Sequence, residues 1–419
     1  MSQEIKPGIN LSVVQTSKFK TTQISIRFAT PLTARNLNQR SLLAAVMENS
    51  SHNLPDPKLM NKVLADMYGA TFGVDVTRRG NVHELSFNLS VVNDKYLQEE
   101  VDLLTEAFNF LQKIIFNPCL VGHAFQENIL YREKQHLQNN IASLVEDKQD
   151  YAVVQTQKQY FSEDAQKMPY YGVNELINEI QADELFHVYK DMILTNNVSI
   201  IVVGDVTENE ILPYVKQFPF ESRNKTKLNY FYHQPEHNVS ETIEEDDVIQ
   251  AKLCLAYQTA IYFGDVPYYA LLVFNGLFGG MPHSKLFMNI RERESLAYYA
   301  SSYLDSYRGM LLVQSGIDQS NMKKVIELVD IQLQSIIAGD FTDTELQQTK
   351  VMLQGQYRNR LDHINALREQ AIIKEIFPNL DFSTDKYLEN IENVTKEDVI
   401  AVANKIKLQN IYCLQGADC

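Results

Sequence analysis

Residues 41–52 read SLLAAVMENSSH, an amphipathic helical pattern in which Ala45, Glu48 and Asn49 stand at i, i+3 and i+4. Side chains so spaced share one helical face. Two histidines at the outer positions would hold a zinc ion there, and a glutamate between them would take a proton from a metal-bound water. Here the outer positions are Ala45, which has no ligating atom, and Asn49, whose neutral amide is a poor zinc ligand. Glu48 alone lacks a metal to acidify water. Pairing Glu48 with His52 gives only two ligands, and SSHNLPD reads as the end of the helix. His123 with Glu127, and the lone His136, read as solvated or structural side chains. GxSxG, P-loop and GxGxxG patterns are absent.

The elements that must carry this helix form a unit written twice. In the first half, the alternating strand TTQISIRFAT is followed by a helix over about 38–50. A short helix comes next, and then two alternating strands that meet at Gly80. In the second half, QAKLCLAYQTA, a helix over about 266–278 and a hairpin turning at Gly309 repeat the order. Lys58, Leu59 and Ala70 match Lys285, Leu286 and Ala297 at one constant offset. Long helices are expected over about 121–147 and 343–375, the second opened by a capping box from Thr342 to Glu345. QADELFHVYKDMILTNNVSIIVVG and NVTKEDVIAVANKIKLQNIYCLQG then close the halves alike, each on a strand.

The expected architecture is α+β: two homologous repeats, each an antiparallel sheet with helices packed on one face, facing each other as a clamshell across a ligand cleft. Residues 1–220 form the first unit, 221–240 a polar, aromatic linker containing Pro235, and 241–419 the second unit.

Composition narrows the function. A chain of 419 residues exceeds one hydrophobic core, and 45% apolar residues suffice to fill two. A net charge of −15 without a lysine and arginine run argues against nucleic acid. The apolar stretches fall short of the roughly 18–20 residues that span a bilayer, so no membrane partner is expected. No signal or lipidation pattern opens the sequence, and Cys119, Cys254, Cys413 and Cys419 lack CxxC spacing. A reducing cytoplasm fits these features.

The sequence resembles the pitrilysin and insulinase peptidases, which include mitochondrial processing peptidase subunits and bacterial processing proteases. The resemblance runs over nearly the whole chain and is sharpest in GLFGGMPHSKLFMNIRERESLAYYASSYLDSYRG. That segment matches the family's second-half signature: a glycine-rich turn at Gly279 and Gly280, a short helix with arginine, a Leu-Ala-Tyr strand start and a hairpin. By resemblance, Arg291 and Tyr298 are the residues that hold bound peptide. Active members carry HxxEH on the first-half helix and a further glutamate on a later long helix. Residues 45–49 read AVMEN against that motif, leaving Glu48 as the retained base. Laid on the distal segment, LYREKQHLQNNI places Asn139 and Asn140 where the family has a glutamate pair, with FNPCLVGH lengthening the stretch before it.

The resemblance therefore implies a noncatalytic member, inactive alone and without a metal or other cofactor, with vestigial positions Ala45, Glu48, Asn49 and Asn140. In the reading it favours, the chain helps an active HxxEH partner, as a heterodimer, to bind and process peptides. A stand-alone peptide-binding or scaffold protein, as a homodimer, is the alternative. Catalysis by the isolated chain through an unrecognised site is a third.

Overall fold

The structure is a computed structural model that describes residues 2–416. From the amino end, β1 (Gln3–Lys6), β2 (Ile9–Gln15) and β3 (Thr21–Pro31) lead into α1 (Ala34–Asn49) and α2 (Pro57–Asp66). The hairpin β4 (Thr71–Arg79) and β5 (Val82–Val92) precedes α3 (Leu103–Phe116), the short strands β6 (Leu120–Val121) and β7 (Ala124–Phe125), and α4 (Glu127–Glu146). Next come α5 (Lys148–Tyr160), α6 (Asp164–Lys167), α7 (Asn174–Glu179), α8 (Ala182–Thr195), β8 (Asn197–Gly204) and α9 (Glu208–Gln217).

The second half runs through β9 (Ser240–Asp246), β10 (Ala251–Gln258) and α10 (Tyr268–Asn275) to π-helical turns at Gly276–Gly280 and Phe287–Arg293. It continues with β11 (Ala297–Asp305), β12 (Met310–Ile317), α11 (Met322–Ile337), α12 (Asp343–Arg360), α13 (Ile364–Ile376), α14 (Thr384–Glu392), α15 (Lys396–Ala403) and β13 (Lys407–Gly416). Among the described residues, no helix is long and apolar enough to cross a membrane.

Among the described residues two large sheets form, ordered β1-β2-β8-β3-β5-β4 and β11-β12-β10-β13-β9, beside the two-stranded β6-β7 ribbon. The duplication is explicit: β2-β8-β3-β5-β4 and β9-β13-β10-β12-β11 share order and strand directions. Each sheet is antiparallel except for one parallel pair, β2 with β8 and β9 with β13. Both hairpins turn on a glycine in the left-handed region, Gly80 (φ 53°) and Gly309 (φ 61°), where a side chain would be strained.

The chain divides into two compact units, neither continuous in sequence. Unit 1 runs through Ala142 and adds Pro169–Asn229 and Arg360–Leu380; unit 2 takes Ser143–Met168, Tyr230–Asn359 and everything from Asp381. The single helix expected over 343–375 breaks at His363, whose extended backbone starts α13. That break sends α12 into one unit and α13 into the other. In the same way α5, from the first half of the sequence, belongs to unit 2.

These two helices cover sheet faces that the expected architecture leaves without helices. Along β3 the alternation puts Ile24, Ile26 and Phe28 into the main core of unit 1, beneath α1 and α3. Yet Gln23, Ser25 and Arg27 on the other face are buried as well, because α13 lies on that side. Its Ile372 packs with Ile201 and Val203. Arg27, itself 2% exposed, bonds Glu84 at 2.5 Å and Ser199 at 3.1 Å, while Arg79 joins Glu84 to Glu369 of α13. Burial would raise the Glu84 carboxyl, but the charges of Arg27 and Arg79 hold it below its usual range. In unit 2, Ala152 of α5 packs with Cys254, Ala256, Leu312 and Tyr412, opposite the core face of that sheet.

Candidate functional site

Helix α1 starts at Thr33, whose hydroxyl accepts from the Asn36 N–H while the Asn36 side chain accepts from the Thr33 N–H, and it ends at Asn49 before extended Ser50. Leu42, Leu43, Val46 and Met47 anchor it in the core. This leaves Ala45, Glu48 and Asn49 together on a half-buried face, as the helical spacing requires.

What faces them is Glu133 of α4. Asn49 Nδ2 donates to Glu133 Oε2 at 3.0 Å and to the Ala45 carbonyl of its own helix at 3.1 Å, so both amide hydrogens are used. Glu133 is 1% exposed. A carboxylate so buried needs a compensating cation. Arg132 supplies it, with Nε 2.6 Å from Glu133 Oε1. His136 Nδ1 stands 3.8 Å from Glu133 Oε2, on a side chain 60% exposed.

Sequence reasoning missed Glu133 and placed the distal position at Asn139 and Asn140. Both asparagines are exposed, and Asn140 lies two helical turns beyond Glu133. A signal was present: Glu133 falls at helical spacing among Ile129, Leu130 and Ile141, on the buried face of α4. An acid on an apolar face marks a side chain held there for a reason.

Glu48 meets β4. Its carboxylate accepts from the Val74 N–H on this edge strand and lies 3.7 Å from where a side chain on Gly73 would begin. Burial pushes its pKa up to about 7; the nearby charges of Asp75 and Glu133 add to the rise and the Val74 N–H opposes it.

This donor set does not fit zinc. The Ala45 side chain offers no lone pair, Asn49 presents an amide N–H to Glu133, and Arg132 already balances the Glu133 charge. Among the described residues, no group of three or more histidines, cysteines or acids is placed to hold a metal ion. His52 is exposed past the end of α1, and His123 sits in the turn between β6 and β7 rather than on α4, its ring 5.5 Å from that of Phe186.

In unit 2, Arg291 lies at the end of the second π-helical turn, its guanidinium 4.6 Å from the centre of the Phe287 ring and its side chain 42% exposed. Tyr298 is 71% exposed on β11, an edge strand, where the register with β12 shifts between Ala297 and Tyr299. Ser295 just before it has φ 53°, a turn that redirects the chain into β11. Neither side chain is part of the core.

Residues 179–353 match the model of the peptidase M16 inactive domain. Over 412 residues the chain is 33% identical to the probable inactive metalloprotease YmfF of Bacillus subtilis (strain 168), covering 98% of this chain and 96% of that protein. The uncharacterized zinc protease YmxG of the same organism is 25% identical over 286 residues, 67% of this chain and 69% of its own. A conserved protein from Enterococcus faecalis V583 has a crystal structure similar across 100% of this chain and 98% of its own, with TM-score 0.94 and 42% identity. A peptidase M16 inactive domain from Pseudomonas fluorescens shares the fold at 16% identity, with TM-score 0.80 over 100% of this chain and 98% of its own. The chain belongs to the M16 peptidase family, the pitrilysin and insulinase group, as a noncatalytic member homologous to zinc proteases.

Proposed function

We propose that the chain is the metal-free member of a peptidase pair, joining a zinc-bearing homologue as a heterodimer to bind and process peptides. The observation that supports this reading is the Asn49–Glu133 hydrogen bond, which ties up the Asn49 amide on the face of α1 where the resemblance places the ligands. Arg291 and Tyr298 are the residues assigned to peptide contact, and their exposure supports that role. The outer edge of β4 offers backbone groups to an extended peptide beside Glu48. Selection and retention of substrate, not bond cleavage, are this chain's part.

The test mixes the purified chain with an HxxEH homologue from the same cell. A complex at micromolar concentration in analytical ultracentrifugation is expected, together with cleavage of a fluorogenic peptide that neither chain achieves alone. Arg291→Ala with Tyr298→Ala should raise KM several-fold while leaving the complex intact. Two chains that stay separate, with peptide binding by this chain alone, would replace the pairing with a stand-alone peptide-binding role.

A further inference from the structure

The duplicated fold allows one unit to be read against the other. In unit 1, α9 follows β8 and packs on α3 and β2. Its Tyr214 ring stacks on Phe108 at 5.0 Å, the Tyr214 hydroxyl stands 3.1 Å from Thr105 Oγ1, and Ile211 and Val215 are buried. The counterpart of α3 in unit 2 is α11, because the buried series Leu103, Ala107, Leu111 and Ile114 repeats as Val325, Val329, Leu333 and Ile336. The counterpart of β2 is β9.

Among the described residues of unit 2, no element stands where α9 would. In its place is a groove of about 630 Å³ between α11, β9 and the start of β13. Leu255, Ile326, Leu333 and Ile411 give it an apolar lining. The matched series that aligns the helices also sets Thr105 against Glu327 and Phe108 against Asp330. The two residues that hold Tyr214 in unit 1 are therefore carboxylates here. Glu241 adds a third acid to the lining, against one cation, Lys323. Ile243, two residues along β9 on the face of Glu241, is 49% exposed.

We propose that this groove is the docking site for a basic amphipathic helix of another polypeptide. The fold fixes the shape, since its duplicate seats a helix of ten residues in the same place. Charge selects the occupant: lysine or arginine flanking an apolar stripe would meet Glu241, Glu327 and Asp330. A second copy of this chain, with net charge −15, would bring like charges together. The inference is independent of the peptidase pairing, because it rests on the duplicated fold and on the groove of unit 2.

The test uses the full chain and a fluorescein-labelled, stapled helical peptide that keeps the apolar spacing of α9 and carries lysines at the Tyr214 position and the flanks. Its twin carries glutamates instead. Fluorescence anisotropy should show the lysine peptide binding at least tenfold more tightly, with the contrast shrinking as salt rises. Glu327→Lys with Asp330→Lys should weaken the lysine peptide at least tenfold, with thermal unfolding unchanged. Glu163→Lys with Asp164→Lys, at the start of α6, should leave binding as it was. Equal affinity of the twins, no binding of the lysine peptide, or equal loss from both double variants would overturn the proposal. So would a homodimer that dissociates on the Glu327 and Asp330 reversal.

Discussion

Asn49 on α1 donates a 3.0 Å hydrogen bond to Glu133 on α4, across 84 residues of sequence. The contact joins α1 to a buried acid of α4, and Arg132 supplies the positive charge this acid requires.

Restoring zinc should therefore take two substitutions. Ala45→His with Asn49→His is expected to bind one zinc per chain by inductively coupled plasma mass spectrometry, and the native chain is expected to give a substoichiometric value. Adding Asn140→Glu should change nothing, and adding Glu133→Gln should abolish the gain. Zinc binding that needs Asn140→Glu would contradict the placement of Glu133.

Removing Glu133 should be costly without any metal present. Glu133→Ala strands the Asn49 amide and deprives Arg132 of its partner, so the urea midpoint should fall by an amount equivalent to about 2–4 kcal/mol. His136→Ala, on an exposed side chain, should cost less than about 0.5 kcal/mol.

Glu48 should give the protein a pH dependence of unusual sign for an acid. Its carboxyl is raised from 4.5 to about 7. Between those values the native state binds a proton that the unfolded chain has released, so stability is greatest below 4.5 and falls as pH rises through 7. The loss should be on the order of 1–2 kcal/mol after discounting for partial exposure. Urea titrations from pH 5 to 8 on the native chain and Glu48→Gln check it: the variant should lack this slope.

The opposite sign is expected for Glu84. Its lowered carboxyl contributes stability that is present above 4.5 and lost as pH falls through its folded value. Glu84→Gln leaves Arg27 buried with a weakened partner and should cost about 3–5 kcal/mol at pH 7, measured by urea unfolding. Destabilisation below 1 kcal/mol would show that Ser199 and Glu375 suffice to hold Arg27.

Local pattern made much of this molecule legible. The i, i+3, i+4 spacing of Ala45, Glu48 and Asn49 needs only a helix to bring them together, and side-chain chemistry shows that two of them cannot bind zinc. Thr342 and Glu345 form the expected capping box, with bonds of 2.7 and 3.1 Å. Strand alternation and the glycine turns located both hairpins. Glu133 escaped because its partner lies 84 residues away, beyond the reach of any short-range period.

By itself, then, the sequence determined the repeated elements, the family and the residue types that share the Ala45 face of α1, since each is written in residue type and short-range period. Only the tertiary structure decided that Glu133 closes against Asn49, that α5 and α13 cover the second faces of the two sheets, and that unit 2 has a groove where unit 1 has α9. Those outcomes depend on which distant surfaces meet. Periodicity identifies a face to be buried, but the partner that buries it is chosen by the whole chain.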